Sequence, residues 1–331
     1  MTVLTGKVFS MKKNNLTLTI AGASGVIGRH IIARAQKEDW NIRVLTRNRT
    51  SQELSENNKN ILTFVWNPEQ DLNANIETVH ALEGSDFLIN LAGTGIADGR
   101  LGKKMQTNVL SSRLKATNLL IDAYQKCKSP PAVWGQTSAT GFYGDTNEEN
   151  VTEINPPGNL FLSKVCVEWE NTVRQITEIN PDIRLIIGRF GIVLAKDAPA
   201  WQKMIQPIQA GFGGAIGSGN QWISWIDADD LAGAFFYLYS QKSAKGVYNF
   251  TSPDPVRQKD FAVKIAKFLN KPVMFKIPGF IIRLMLGKTA DELILASCKA
   301  IPEKLIQSGY AFEYSRFDQE IEHLLKNINM H

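Results

Sequence analysis

Cysteine and histidine are scarce in this chain, with 3 and 4 among 331 residues. Cys127, Cys166 and Cys298 are far apart, odd in number and form no Cys-x-x-Cys pair. That argues against a disulfide framework or a structural zinc site and fits a reducing, cytoplasmic setting. The histidines, one of them the terminal His331, show no metal-ligand spacing. No stretch of about 18 apolar residues is present, so no membrane-spanning helix is expected. Residues 1–15 lack the apolar run of a secretory signal and contain lysines. They read as an extension ahead of the core, or as the product of a start placed too early, with Met11 as the true first residue. The 37 basic and 32 acidic residues leave a net charge of +5, with the basic residues scattered. A nucleic-acid partner is therefore not expected, whereas an anionic small molecule suits such a surface. Repeats and low-complexity tracts are also missing.

What is present is a regular alternation. Strand-like runs occupy 16–21, 42–46, 61–65, 86–91, 132–137 and 183–188, and helical periodicity occupies 26–38, 103–126 and 160–178. Several strands are almost wholly apolar, which implies a parallel sheet covered on both faces. The expected fold class is α/β: a Rossmann-type doubly wound parallel sheet with a smaller, mostly helical C-terminal substrate domain. Past residue 195 the texture changes. Gly211, Gly213, Gly214, Gly217 and Gly219 are too dense for a helix or an ordinary strand. A strand over 222–226, a helix over 229–240 and a strand over 246–250 return to the sheet. The expected division is an extension over 1–15, a dinucleotide-binding domain over 16–252 with an insertion near 195–225, and a C-terminal domain over 253–331. Phe275, Phe280 and Met285 are expected in the core of that last domain.

The first strand runs directly into Gly22-Ala23-Ser24-Gly25-Val26-Ile27-Gly28. Between a strand and a helix, such glycines permit a tight turn, close approach of backbone amides to a diphosphate, and close helix–strand packing. The competing reading is a tight β–α turn that holds no ligand. The second strand ends in Thr46-Arg47-Asn48-Arg49, with no acid before Glu53. An acidic residue there would hold the ribose hydroxyls of NAD, whereas a guanidinium suits the 2′-phosphate of NADP. NADP(H) is therefore expected over NAD, with Arg47 as the phosphate ligand. A solvated arginine at a strand end is the plainer alternative.

The Gly-x-x-Gly-x-x-Gly spacing, with Asn90-Leu91-Ala92-Gly93 at the fourth strand, resembles the short-chain dehydrogenase/reductase superfamily. The segments 138–144 and 225–232 resemble its extended, epimerase/dehydratase branch. Segments 161–170, 211–214, 217–221 and 248–253 are similar to a group of epimerase-like oxidoreductases with their own C-terminal domain. The resemblance runs from about residue 16 to the end. It implies cofactor contacts from Gly22, Ser24, Gly25, Val26, Ile27, Gly28, Thr46 and Arg47, and from Leu91, Ala92 and Gly93 beside the adenosine half. Trp66 and Asn67 would lie near the adenine, and the loop after 188–191 would close the nicotinamide end.

Members of that superfamily use a serine hydroxyl to polarise a carbonyl and a Tyr-x-x-x-Lys pair to move the proton. Matching by position puts Ser138 at the serine and Lys164 at the lysine, where it would also hold the nicotinamide ribose. The tyrosine position is Leu160, which cannot exchange a proton. Tyr143 could supply the hydroxyl from another direction, or pack at a turn. Another residue or the substrate could donate the proton. Or the domain binds NADP(H) without turnover, as a sensor or interaction protein. Gln221 and Trp222 could face the pocket. Asp227, Asp229 and Asp230 read better as a helix N-cap than as a metal cluster. The expected activity is that of an NADP-dependent oxidoreductase or epimerase-like enzyme on a small polar substrate, such as a sugar nucleotide, working as a monomer or homodimer.

Overall fold

The computed structural model describes residues 16–47, 60–96 and 101–326. Its centre is a seven-stranded parallel sheet. In chain order the strands are β1 (Thr17–Ala21), β2 (Asn41–Thr46), β3 (Ile61–Val65), β4 (Phe87–Asn90), β5 (Val133–Ala139), β6 (Arg184–Phe190) and β7 (Gly246–Phe250). Their spatial order is β7-β6-β5-β4-β1-β2-β3. Every residue of β1 is buried, because layers of helices cover both faces. On one face lie α1 (Val26–Lys37) and, from the C-terminal half of the sheet, α6 (Ala228–Ser240). They bring Ile31, Ile32 and Ala35 against Leu231, Phe235 and the apolar side chains of β1 and β4. On the other face, α2 (Ile76–Leu82), α3 (Lys103–Lys126) and α4 (Phe161–Ile179) enclose Leu88, Trp134, Leu185 and Ile187.

The strand order reverses between β1 and β4, so the connections leave in opposite directions and open a crevice at the carboxyl ends of the strands. The residues that reach this crevice sit at matched heights: Ala21 pairs with Asn90, and Asn90 with Gln136.

The remaining helices are α5 (Pro199–Gln209), α7 (Gln258–Phe268), α8 (Gly279–Leu286), α9 (Lys288–Leu293), α10 (Glu303–Gln307) and α11 (Phe317–Leu325). A third apolar cluster holds α5, α7 and α11 together around Trp201, Trp225, Phe261 and Phe317. Short ribbons tie the region after residue 252 to earlier loops. Trp222–Ile223 pairs with Val256–Arg257, Gly213–Ile216 with Val273–Ile277, and Asn150–Val151 with Lys299–Ala300. The glycine-dense segment thus does contain a strand, contrary to expectation. Its glycines with positive φ, Gly211, Gly217 and Gly219, make the turns outside that strand, and a partner strand supplies the pairing that composition argued against.

Asp227 is the N-cap of α6, accepting from the amides of Asp229 at 2.7 Å and Asp230 at 3.2 Å. The other two carboxylates point elsewhere. Asp229 meets His30 Nδ1 at 2.6 Å, and Asp230 accepts from the amides of Glu313 and Tyr314. Phe280 and Met285 correct another expectation: they are 67% and 60% exposed on α8, of which only Ile282 is buried. That helix is apolar around its circumference, so one docked face leaves the rest outside. The side chain of Phe275 lies outside the described residues. No described helix is long and apolar enough to cross a membrane.

Candidate active site

Two cavities occupy the crevice and share Leu91 and Gly93 in their walls. The first, of about 530 Å³, is lined by Gly22, Ala23, Ser24 and Gly25 of the β1–α1 turn, by Thr46 and Arg47, by Trp66, and by Leu91, Ala92 and Gly93. Its shape fits a dinucleotide for reasons visible in the turn. Gly22 has φ of 86°, and a Cβ there would lie 2.9 Å from the Leu91 carbonyl. A Cβ on Gly28 would lie 2.6 Å from Ala23, so the helix can approach the strand only with glycine at that place. A Cβ on Gly25 would meet only ordinary contact, with Gly22 O at 3.6 Å, because Gly25 borders the cavity. No side chain caps the N-terminus of α1 and no acid stands in its first turn. First-turn amides and the positive end of the helix dipole are what a diphosphate requires.

Arg47 is exposed on the wall of this cavity, and no ion pair or hydrogen bond to a described residue holds it. Arg49 and Glu53 lie outside the described residues. Trp66 borders the cavity while belonging to the core, at 3% exposure. Asn67 does not face the cavity; its amide oxygen accepts from the Glu69 amide within its own turn. Ile27 lines the second cavity, and Val26 packs on the third apolar cluster.

The second cavity, of about 650 Å³, lies beyond Leu91 and Gly93. Its wall is largely apolar: Leu162, Val165 and Trp169 of α4, Phe190 and Val193 after β6, and Met204 and Ile208 of α5 among others. For the small polar substrate expected from sequence, the wall offers Thr137, Ser138, Thr140, Ser224, Gln258 and Lys203, and each buried hydroxyl left without a partner costs roughly 1–3 kcal/mol. The segment after 188–191 does contribute, through Ile192 and Val193, and Trp222 lines the wall. Gln221 does not; its amide donates to the carbonyls of Ile216 and Ile294 and pins the glycine-rich segment to the end of α9. Glu292 of α9 accepts from the amides of Phe161 and Leu162, capping α4 from outside.

Ser138 ends β5 on the wall of the apolar cavity, 1% exposed. Its hydroxyl donates to Glu170 Oε1 at 2.8 Å. Glu170 in turn receives both arms of Arg189, Nε at 2.8 Å and Nη2 at 2.9 Å, and all three side chains are buried. Arg189 also donates from Nη1 to the Tyr143 hydroxyl, which donates to Asn249 Oδ1 at 2.7 Å. Sequence reasoning missed Glu170, Arg189 and Asn249. They lie on α4, β6 and β7, and only the fold brings them together.

Two of the expected catalytic residues line neither cavity. Tyr143 is buried at 4% exposure, lines neither cavity, and has its hydroxyl occupied by Arg189 and Asn249. Burial pushes its pKa up to about 12, so it holds its proton through the physiological range. Lys164 is exposed and lines neither cavity. The α4 residues that face inward recur at helical spacing, Leu162, Val165, Cys166 and Trp169, and Lys164 falls between them on the outer side. The cations that do reach the wall are Arg113 of α3 and Lys203 of α5, which sequence reasoning also missed. Cys166 and Cys298 border the cavity as thiols, pushed up by burial to about 11 and about 12.

A model of the NAD dependent epimerase/dehydratase family matches residues 18–250, and one for a domain of unknown function, DUF1731, matches residues 277–324. The chain is 32% identical over 307 residues to the epimerase family protein SDR39U1 homolog, chloroplastic, of Arabidopsis thaliana, covering 92% of this chain and 85% of that one. It is 32% identical over 308 residues to epimerase family protein SAR0825 of Staphylococcus aureus (strain MRSA252), covering 92% and 98%. The solved structure of human epimerase family protein SDR39U1 (isoform 2) with NADPH shares the fold at TM-score 0.81 and 24% identity, covering 94% of this chain and 100% of that one. From its sequence matches this chain belongs to the NAD-dependent epimerase/dehydratase family, within the extended branch of the short-chain dehydrogenase/reductases.

Proposed function

We propose that this chain is an NADP(H)-dependent oxidoreductase or epimerase-like enzyme, acting in the cytoplasm on a small molecule held in the apolar cavity. The observation that carries this reading is the junction at Leu91 and Gly93, where the dinucleotide-shaped cleft opens into a second cavity with Ser138 on its wall. A nicotinamide cofactor supplies hydride transfer. Gly22, Gly25 and the first turn of α1 hold its diphosphate, and Arg47 takes the 2′-phosphate. The similar human structure holds NADPH, which supports the same preference here.

Ser138 has a defined part in this reading. Its proton is directed at Glu170, a carboxylate chelated by Arg189, so its lone pairs are what remain for a ligand. It therefore holds a ligand hydroxyl by accepting its hydrogen bond, and must turn away from Glu170 to polarise a carbonyl. A second reading, an NADP(H)-binding sensor without turnover, draws support from one observation: no tyrosine is among the residues lining the apolar cavity.

Titration of the protein with NADPH and NADH, followed by nicotinamide fluorescence, tests the cofactor assignment. Arg47→Ala is expected to weaken NADPH by about 10-fold or more and to leave NADH unchanged. Equal affinity of the unaltered protein for both cofactors overturns Arg47, and no binding at millimolar cofactor overturns the reading. A panel of carbonyl and alcohol compounds then separates enzyme from sensor. Turnover that Ser138→Ala abolishes supports the enzyme, and silence across the panel favours the sensor.

A further inference from the structure

Arg113 carries a charge that no carboxylate among the described residues balances. Its guanidinium lies over the ring of Trp169, 5.0 Å from the centroid, and its Cγ would stand 3.0 Å from a Cβ on Gly93. Nη1 donates to the carbonyls of Thr94 and Val109, at 3.0 Å and 2.9 Å. Nε and Nη2 donate to no described residue. The side chain is half-buried, and desolvation pulls its pKa below the usual arginine value. It lines the apolar cavity and not the dinucleotide cleft. The carboxylate on that wall, Glu292, has both oxygens taken by the first amides of α4.

A half-buried cation with no opposite charge is partly desolvated, and an anion that meets its free edge offsets that cost. The diphosphate of the cofactor has its own seat at the glycine turn. Most of the remaining wall is apolar, with Ser138, Thr137, Thr140, Ser224, Gln258 and Lys203 as its polar exceptions, a poor match for a ligand covered in hydroxyls.

We propose that the cavity takes an apolar organic carboxylate, with its hydrocarbon body among Leu162, Val165, Phe190 and Met204 and its charged end on Arg113. This substrate class rests on the cofactor reading above. The free Nε and Nη2 form the edge of the guanidinium that grips a carboxylate in two parallel hydrogen bonds. Exposed apolar residues continue outside: α8 packs on α9, whose Leu293 lines the cavity, and presents Phe280 and Leu284 to solvent.

Calorimetry on protein saturated with NADP+ tests this, using alkanoates and arylacrylates of increasing length, each beside its neutral amide. Carboxylates are expected to bind about 10-fold or more tightly than the amides, a preference lost in Arg113→Gln and partly kept in Arg113→Lys. NADP+ affinity, measured first, is expected to be the same in all three proteins. Failure of the unaltered protein to bind NADP+ would overturn the cofactor reading itself. If NADP+ binds, then equal affinity for acid and amide, or no carboxylate binding up to ~10 mM, overturns the substrate class alone. Loss of NADP+ affinity in Arg113→Gln would assign the cation to the cofactor instead.

Discussion

Ser138 gives its hydroxyl proton to Glu170, across 2.8 Å, from the end of β5 to the middle of α4. The bond decides what the serine offers to the cavity, and Arg189 fixes its acceptor by a two-armed contact in a buried site. Breaking one partner of such a pair is far more damaging than removing the hydroxyl that rests on it. Glu170→Gln leaves Arg189 buried and unpaired, and is expected to cost about 3–5 kcal/mol. Ser138→Ala is expected to cost about 1 kcal/mol. Urea denaturation of the two variants checks the ranking; equal midpoints would show that the buried pair contributes nothing beyond the serine contact.

The glycines of the β1–α1 turn separate folding from binding. A methyl on Gly28 meets Ala23 at 2.6 Å, so Gly28→Ala must push α1 off β1 and lower the melting temperature. A methyl on Gly25 meets no protein atom closer than 3.6 Å and stands in the cleft. Gly25→Ala is expected to melt like the unaltered protein while binding NADPH at least ~10-fold more weakly, since backbone amides can no longer close on the diphosphate. A Gly25→Ala protein with full NADPH affinity would place the diphosphate elsewhere.

The sheet and the cofactor cleft were legible because both depend on local pattern. Apolar runs bounded by turns mark the strands, and β7 and α3 begin and end where their periodicity does. The turn at Gly22–Gly28 carries its chemistry in consecutive backbone amides, so adjacency in sequence is adjacency in space. The apolar cavity was not legible. Its serine and Arg113 come from β5 and α3, the acid and arginine behind the serine from α4 and β6, and no spacing rule links Ser138 to Glu170 or Arg189. Lys164 lies outside the cavities for a related reason. Its position was set by analogy to a Tyr-x-x-x-Lys pair whose tyrosine is absent, whereas the apolar stripe at Leu162, Val165, Cys166 and Trp169 already turned residue 164 outward.

That correction has a direct test in two quiet variants. Lys164→Ala removes an exposed side chain that lines neither cavity and is expected to change NADPH affinity and stability by no more than about 0.5 kcal/mol. Tyr143→Phe takes the hydroxyl from between Arg189 and Asn249 and is expected to cost roughly 1–2 kcal/mol of stability. Its NADPH affinity should stay unchanged. Loss of cofactor binding in Lys164→Ala, with the melting temperature preserved, would return the lysine to the ribose.

Outside the residues that line the cavities, α11 buries Glu320 beside Asp227, the N-cap of α6. The residue is fully buried and neither carboxylate oxygen meets a donor. Burial, with the charges of Asp227 and Asp230 alongside, pushes its pKa up to about 9, and burial pushes Asp227 up to about 7. The neutral acid is therefore the folded form. In the unfolded chain the same group ionises from about 4.5 upward. Between that value and about 9 the folded state binds the extra proton, so this group's contribution is complete below 4.5 and is lost progressively as pH rises to 9. Glu320→Gln keeps the shape and removes the titration. It is expected to melt higher than the unaltered protein at pH 8, by ~2 °C or more, with the difference shrinking toward pH 5. Thermal unfolding at the two pH values decides it, and a difference that does not change with pH would mean that Glu320 is ionised in the fold.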